Sequence, residues 1–239
     1  MADQVHDWEI VGARDPFFGV IVADEFRTTK MDADARARFY ASGEGDIANV
    51  LSMFDEDFGA RPTQGQALDI GCGVGRLSYA LAKVMHRVVG YDVSESMIRV
   101  ARENAPSNLE LTTQLPPGPF AWINSYIVFQ HIPPAEGIAL LGRCLDRAAP
   151  GAFISIQITG WRDTPPPRSL LARFRHWRNL RFHRQAGRPV DPLIQMYDYN
   201  FSDVMKCFMS RGFGRLVLRH TDHGQHHGAW ILARALDAA

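Results

Sequence analysis

The chain has 239 residues, 26 Lys+Arg against 26 Asp+Glu, and 46 % hydrophobic residues. That is room for one large domain with a small cover, and a formal net charge of zero gives no global field to draw it to nucleic acid or an anionic membrane. Three widely spaced cysteines, Cys72, Cys144 and Cys207, form neither a disulfide framework nor a metal cluster. The N-terminus carries early charges and no apolar leader segment, and no run nears the roughly 20 apolar residues of a spanning helix, so a cytoplasmic protein is expected.

Residues 1–62 read as a helical cover. In "GDIANVLSMFDEDF" the residues Ile47, Val50, Leu51, Phe54 and Phe58 make one apolar stripe at helical spacing. Upstream, "DPFFGVIVADEFR" mixes aromatics with turn residues and reads as a segment wrapped on the core. Residues 63–239 then alternate. "QALDIG" is a buried strand and "GRLSYALAKVM" a helix with Leu77, Ala80, Leu81 and Val84 on one side. "RVVGYDV" is a second strand, followed by the helix "SESMIRVARENA" with Ser94 as its N-cap. "NLELTT" and "AWINSYIVF" are the next strands, "EGIALLGRCLDRA" a helix, and "GAFISIQI" the fifth strand. After an insert at 161–200 come the helix "DVMKCFMSRGF" and the strands "RLVLRHT" and "GAWILARA". Strands alternating with such helices predict a doubly wound, mainly parallel sheet with right-handed crossovers.

The loop "LDIGCGVGRLS" lies at the turn from the first strand into the first helix, where glycine allows a tight turn and close approach to a ligand. A dinucleotide fingerprint requires a glycine five residues after Gly71; that position is Arg76. Asp69 two residues ahead of Gly71, Gly73 and Gly75 suits a ligand with a cationic amino group and no pyrophosphate.

"LDIGCGVG" followed by "GYDVSESMIRVARENA" resembles class I S-adenosylmethionine-dependent methyltransferases. Asp69, Gly71, Gly73 and Gly75 match the family's first motif, and Asp92 the carboxylate that ends its second strand. "VFQHIP", with "LDRAAPGAFISI" after it, is similar to the family's segment around the fourth and fifth strands. The resemblance implies a Rossmann-like seven-stranded α/β sheet of order 3-2-1-4-5-7-6, strand 7 antiparallel, with an N-terminal helical cover and an insert after strand 5. It implies that Asp69 and the Gly71, Cys72, Gly73, Gly75, Arg76 turn hold the methionine part of S-adenosylmethionine. Asp92 takes the ribose hydroxyls, Val93 and Met97 flank the adenine, and Gln114 and Leu115 read its edge. Two departures stand out: Gln114 where many members have an acid, and Ala121 where the fourth strand often has an aspartate.

Ligands gather at the carboxyl ends of such strands. The end of the fourth strand therefore nominates Ser125 and Gln130 as cofactor contacts and Tyr126 and His131 as catalytic candidates, His131 because imidazole titrates in the range of a general base. The insert holds eight arginines and one acid between Trp161 and Val190, with Leu170, Leu171, Phe174, Trp177 and Leu180 at helical spacing. It reads as a lid whose arginines, Arg173 among them, bind an anionic acceptor, as a helix at 169–184 contacting a membrane surface or a partner, or as a solvated face. Tyr40, Tyr197 and Tyr199 are further acceptor candidates. His220, His223, His226 and His227 read as a polar turn between the last strands, and no metal is expected.

The resulting expectation is methyl transfer from S-adenosylmethionine to a small-molecule acceptor at oxygen or nitrogen, the acceptor being a metabolite, sugar or secondary metabolite. The alternative is a catalytically silent S-adenosylmethionine-binding sensor or assembly protein.

Overall fold

A computed structural model describes residues 2–163, 194–224 and 226–237. The predicted helix at 169–184 and Arg173 lie outside them.

Most strands of the sheet are short and apolar, and amphipathic helices cover both of its faces. In chain order the sheet is built from β1 (Gln66–Ile70), β2 (Arg87–Tyr91), β3 (Leu109–Thr112), β4 (Phe120–Ser125), β5 (Ala148–Arg162), β6 (Leu216–Asp222) and β7 (His226–Arg234). Their spatial order is β3-β2-β1-β4-β5-β7-β6, as the family resemblance implied. β1 to β5 pair in parallel, and β7 runs antiparallel to both β5 and β6. The order reverses between β1 and β4, which opens a crevice at their carboxyl ends.

The helices are α1 (Ala2–Arg14), α2 (Pro16–Val20), α3 (Ala33–Phe58), α4 (Arg76–Val84), α5 (Glu95–Arg102), α6 (Pro134–Leu145) and α7 (Phe201–Met209). Asp32 caps α3 by accepting from Ala35 N, and Ser94 caps α5 by accepting from Met97 N, the latter as expected. On α4, Leu77, Ala80 and Leu81 are buried, but Val84 at the helix end is 39 % exposed. α3 starts well before the predicted stretch. It runs through Gly43, where a Cβ would meet Arg76 O at 2.3 Å, so the glycine marks a helix crossing and no break.

α3, α4 and α5 cover one face of the sheet; Phe54 packs there against Trp122 and Phe153 with ring centroids 5.6 and 5.0 Å away. α6 and α7 cover the other face. A third cluster, of Phe17, Phe26, Phe39, Val74 and Met97, seats the N-terminal segment against the glycine loop.

The fourth strand is shorter than predicted. β4 ends at Ser125, because Ile127 takes a φ of 58° and Phe129–His131 form a 3-10 turn. A β-branched residue in the left-handed region is strained, and such strain concentrates at functional sites. β5 is longer than predicted, and Arg162 near its end donates Nε and Nη2 to Asp198 Oδ2, which ties the two ends of the insert together.

Candidate active site

A cavity of about 540 Å³ opens above the carboxyl ends of β1, β2 and β4. Asp69, Gly71, Cys72, Gly73, Arg76, Asp92, Val93, Met97, Tyr126, Gln130 and His131 all line it. These are eleven of the residues singled out in the sequence, drawn from three strand ends and brought to one crevice.

Asp69 closes the floor. It is 1 % exposed and accepts from Ser78 Oγ at 2.6 Å and from Asn124 Nδ2 at 3.0 Å. Burial pushes its carboxyl up to about 6; the two hydrogen bonds and Arg76 work against that rise. Each carboxylate oxygen keeps a second lone pair, so a cationic group in the cavity still has an acceptor there.

The glycine loop is satisfied within the protein. Gly71 N and Cys72 N donate to Tyr91 O at 2.7 and 3.1 Å, and Gly73 N donates to Asp92 Oδ2 at 2.8 Å. Its role is close approach. A Cβ on Gly71 would come 2.4 Å from Val128, and one on Gly73 would come 2.9 Å from Val20. Gly75 (φ 85°) turns the chain into α4 and is not part of the lining. Burial also raises the Cys72 thiol, which keeps it neutral. Arg76 is buried and held by Asp46 of α3 at 2.5 Å and Ser42 at 3.2 Å.

Asp92 Oδ1 accepts from Ser94 N at 2.9 Å. Burial raises its pKa and the three backbone hydrogen bonds to it oppose that. At the end of β4, Tyr126 stacks on Trp230 at 4.9 Å, with the Arg76 guanidinium 5.9 Å from its ring centroid. His131 sits at the far wall of the network. Thr159 Oγ1 donates to Gln130 Oε1 at 2.9 Å, Gln130 Nε2 lies 3.2 Å from His131 Nε2, and His131 Nδ1 lies 3.3 Å from Gln195 O. Gln195 O can only accept and the Gln130 amide nitrogen can only donate, which assigns the proton to Nδ1. Both ring nitrogens are therefore engaged. Burial holds the His131 pKa below its ordinary value, so the ring is neutral at neutral pH.

Seven other nominated residues are placed differently. Gln114 is exposed, its N–H held by Thr112 Oγ1 at 3.1 Å, and Leu115 packs into the α6 side of the core; neither lines the cavity. Ser125 is buried and donates to Ile70 O, tying β4 to β1 beneath the floor. Tyr40 stacks on Tyr79 at 4.6 Å and donates to Val74 O, so it braces the loop from behind. Tyr199 is 3 % exposed and donates to Ile132 O, and Tyr197 donates to Gln195 Oε1; both hold the returning chain outside the lining. Gly75, described above, is the seventh; Arg173 lies outside the described residues.

The site also holds residues that the sequence did not single out. Val5 and Trp8 of α1 and Gly19, Val20 and Val22 of the segment after it roof the cavity, and Ile194 and Met196 close its side. Trp8 meets His131 edge-on with ring centroids 5.2 Å apart. The one signal for the roof was the apolar, aperiodic run "FFGVIV", which reads equally well as core. His220 and His227 stack with Trp161 at the end of the last strands, away from this lining. Among the described residues no group of three or more His, Cys, Asp or Glu could hold a metal ion.

Residues 67–151, from β1 to the start of the apolar run of β5, match the family model of a methyltransferase domain. Over these residues the chain is similar to methyltransferase domains. Among curated relatives, the chain is 31 % identical over 119 residues to a ubiquinone biosynthesis O-methyltransferase of Caulobacter vibrioides, covering 45 % of this chain and 46 % of that one. A protein of the same name from Ruegeria pomeroyi is 45 % identical over 65 residues, 26 % of each chain. The matched segments thus span less than half of those relatives' length. Among solved structures, magnesium protoporphyrin IX methyltransferase from Synechocystis PCC 6803, with bound SAM, superposes with a TM-score of 0.57 at 18 % identity over 96 % of this chain and 97 % of that one. Phosphoethanolamine N-methyltransferase 2 of Haemonchus contortus gives 0.54 at 15 % identity, over 93 % of this chain and 60 % of that one. At these identities the superpositions establish that the chain shares the fold of those proteins.

Proposed function

We propose that the protein transfers a methyl group from S-adenosylmethionine to a small apolar-bodied acceptor, at oxygen, with residues 1–62 acting as the cover of the site. The observation that carries this reading is the placing of Asp69 and Asp92 on one cavity, either side of a glycine loop that a Cβ would block. The residues present fit the cofactor: Asp69 offers a buried carboxylate to its ammonium group, Asp92 a partly exposed one to its ribose, and Val93 and Met97 an apolar wall to its adenine. When bound, S-adenosylmethionine supplies a methyl group already activated for displacement.

The rest of the chemistry belongs to the chain. Trp8, Val20, Ile127, Val128, Ile194 and Met196 enclose the remaining space, exclude water and favour an apolar or aromatic acceptor body. Positioning such an acceptor supplies much of the acceleration. Tyr126, locked on Trp230, and His131, locked by Gln130 and Gln195, are rigid walls for that purpose. For His131 to accept a proton, the Gln130 amide must first leave Nε2. The names of the curated relatives favour oxygen as the acceptor atom. A second reading, binding without transfer, draws on one observation: both nitrogens of His131 are already engaged.

The test is an assay of S-adenosylhomocysteine formation with alkyl-substituted phenols, set against amines and sugars. Turnover that depends on a hydroxyarene is expected. Cofactor binding with no turnover on any acceptor would favour the binding protein.

A further inference from the structure

α1 is fastened to the site as well as covering it. Its Glu9 carboxylate lies at the N-terminal end of α5 and accepts three hydrogen bonds there, from Ser94 Oγ at 2.8 Å, from Ser96 N at 3.1 Å and from Ser96 Oγ. Arg99 Nη2 donates to the same Ser96 hydroxyl at 2.6 Å. The first amides of a helix lack intrahelical partners and favour negative charge, so a carboxylate suits this place. Gly12, three residues on and on the same helix face, lets the two helices approach: a Cβ there would lie 2.9 Å from Ser94 Oγ and 3.0 Å from Met97 N. Burial alone would raise the Glu9 pKa, but the Ser96 and Ser94 hydrogen bonds and Arg99 outweigh it and hold the carboxyl below its ordinary range.

Ser94 is shared between cover and site. Its hydroxyl donates to Glu9, and its backbone N–H donates to Asp92 Oδ1 at 2.9 Å. The other oxygen of Asp92 accepts from Gly73 N at 2.8 Å. A continuous line of bonded groups therefore runs from α1 through Ser94 and Asp92 to the glycine loop. The same helix places Val5 and Trp8 in the roof.

We propose that Glu9 is a positioning residue for the cofactor: it latches the cover to the start of α5 and, through Ser94, steadies Asp92, so that roof and carboxylate grip release together. This rests on the S-adenosylmethionine reading of the cavity. It predicts that the latch governs how fast a bound nucleoside leaves.

The test is the dissociation rate of S-adenosylhomocysteine from the full chain, followed by tryptophan fluorescence, for wild type, Glu9→Gln, Ser96→Ala and the double variant. Each single variant is expected to speed dissociation about tenfold, the scale of one lost hydrogen bond to a charged group. The double variant should do no more than the stronger single one, because both remove one interaction. Ser96→Ala carries the test if Glu9→Gln does not fold. Wild-type dissociation rates with a lowered melting temperature in these variants would overturn the proposal and leave Glu9 as a fastening of the cover alone. A wild-type protein that takes up no S-adenosylhomocysteine would overturn the cofactor reading first, and shows itself before any variant is made.

Discussion

Asp69 combines near-complete burial with a place on the cavity, so its carboxyl is harder to ionise in the folded protein than in the unfolded chain. Its folded pKa, about 6, lies above the unfolded aspartate value, so the folded state holds the proton more tightly. The stability that follows is fully present below the unfolded pKa, near pH 4, and is lost as pH rises towards 6. A shift of about two pKa units corresponds to about 3 kcal/mol. Denaturation of wild type and Asp69→Asn across pH 4–7 should show their stability difference drifting by about that amount over this window, to the disadvantage of wild type. A constant difference would mean that Asp69 keeps its ordinary pKa. A cationic group bound beside Asp69 reverses the preference and favours its ionised form. Asp69 and the three glycines were legible in the sequence because their spacing alone fixes one turn. Gln114 lies outside the cavity lining, its N–H held by Thr112 Oγ1, a local bond that no strand pattern announces. Trp8 was not legible at all: it reaches His131 only through the packing of α1 across more than a hundred residues.

At the scale of elements, α3 is the beam on which cover and sheet are joined. Its apolar stripe was legible from the helical spacing of Ile47, Val50, Leu51 and Phe54, all of them buried. Its true start was not, since Gly43 and Gly45 look like a break until α4 is seen crossing at Gly43. Phe54 is fully buried between Trp122 of β4 and Phe153 of β5. Truncating such a ring leaves a cavity as well as losing transfer energy, and costs about 3–5 kcal/mol. Phe54→Ala is therefore expected to lower the denaturant midpoint by that free energy with an unchanged slope. A loss under about 1 kcal/mol would mean that α3 is not packed on the sheet as described. The end of β4 shows the opposite case. "AWINSYIVF", polar only at Asn124 and Ser125, reads as strand to its end, yet the left-handed turn at Ile127 brings Tyr126, Ile127 and Val128 to line the cavity.

At the scale of the whole molecule, the alternation of strands and helices carried the fold. The family resemblance supplied the strand order, including the reversed β7, and the observed sheet has that order. Periodicity had no means of supplying the roof, because a cover is apolar on the side that faces the ligand and looks like core. Residues 164–193 of the Arg-rich insert, with its acceptor, surface and solvated readings, lie outside the described residues; near its two ends Arg162 donates to Asp198. Ile194 and Met196, in its returning part, line the cavity. The most direct measurement is calorimetric titration of the purified chain with S-adenosylhomocysteine, for wild type and Asp92→Ala. Micromolar binding is predicted for wild type, weakened at least tenfold in the variant, the scale of one lost charge-assisted hydrogen-bond pair. No binding by wild type, or equal binding by both, would contradict the assignment of this cavity to that cofactor.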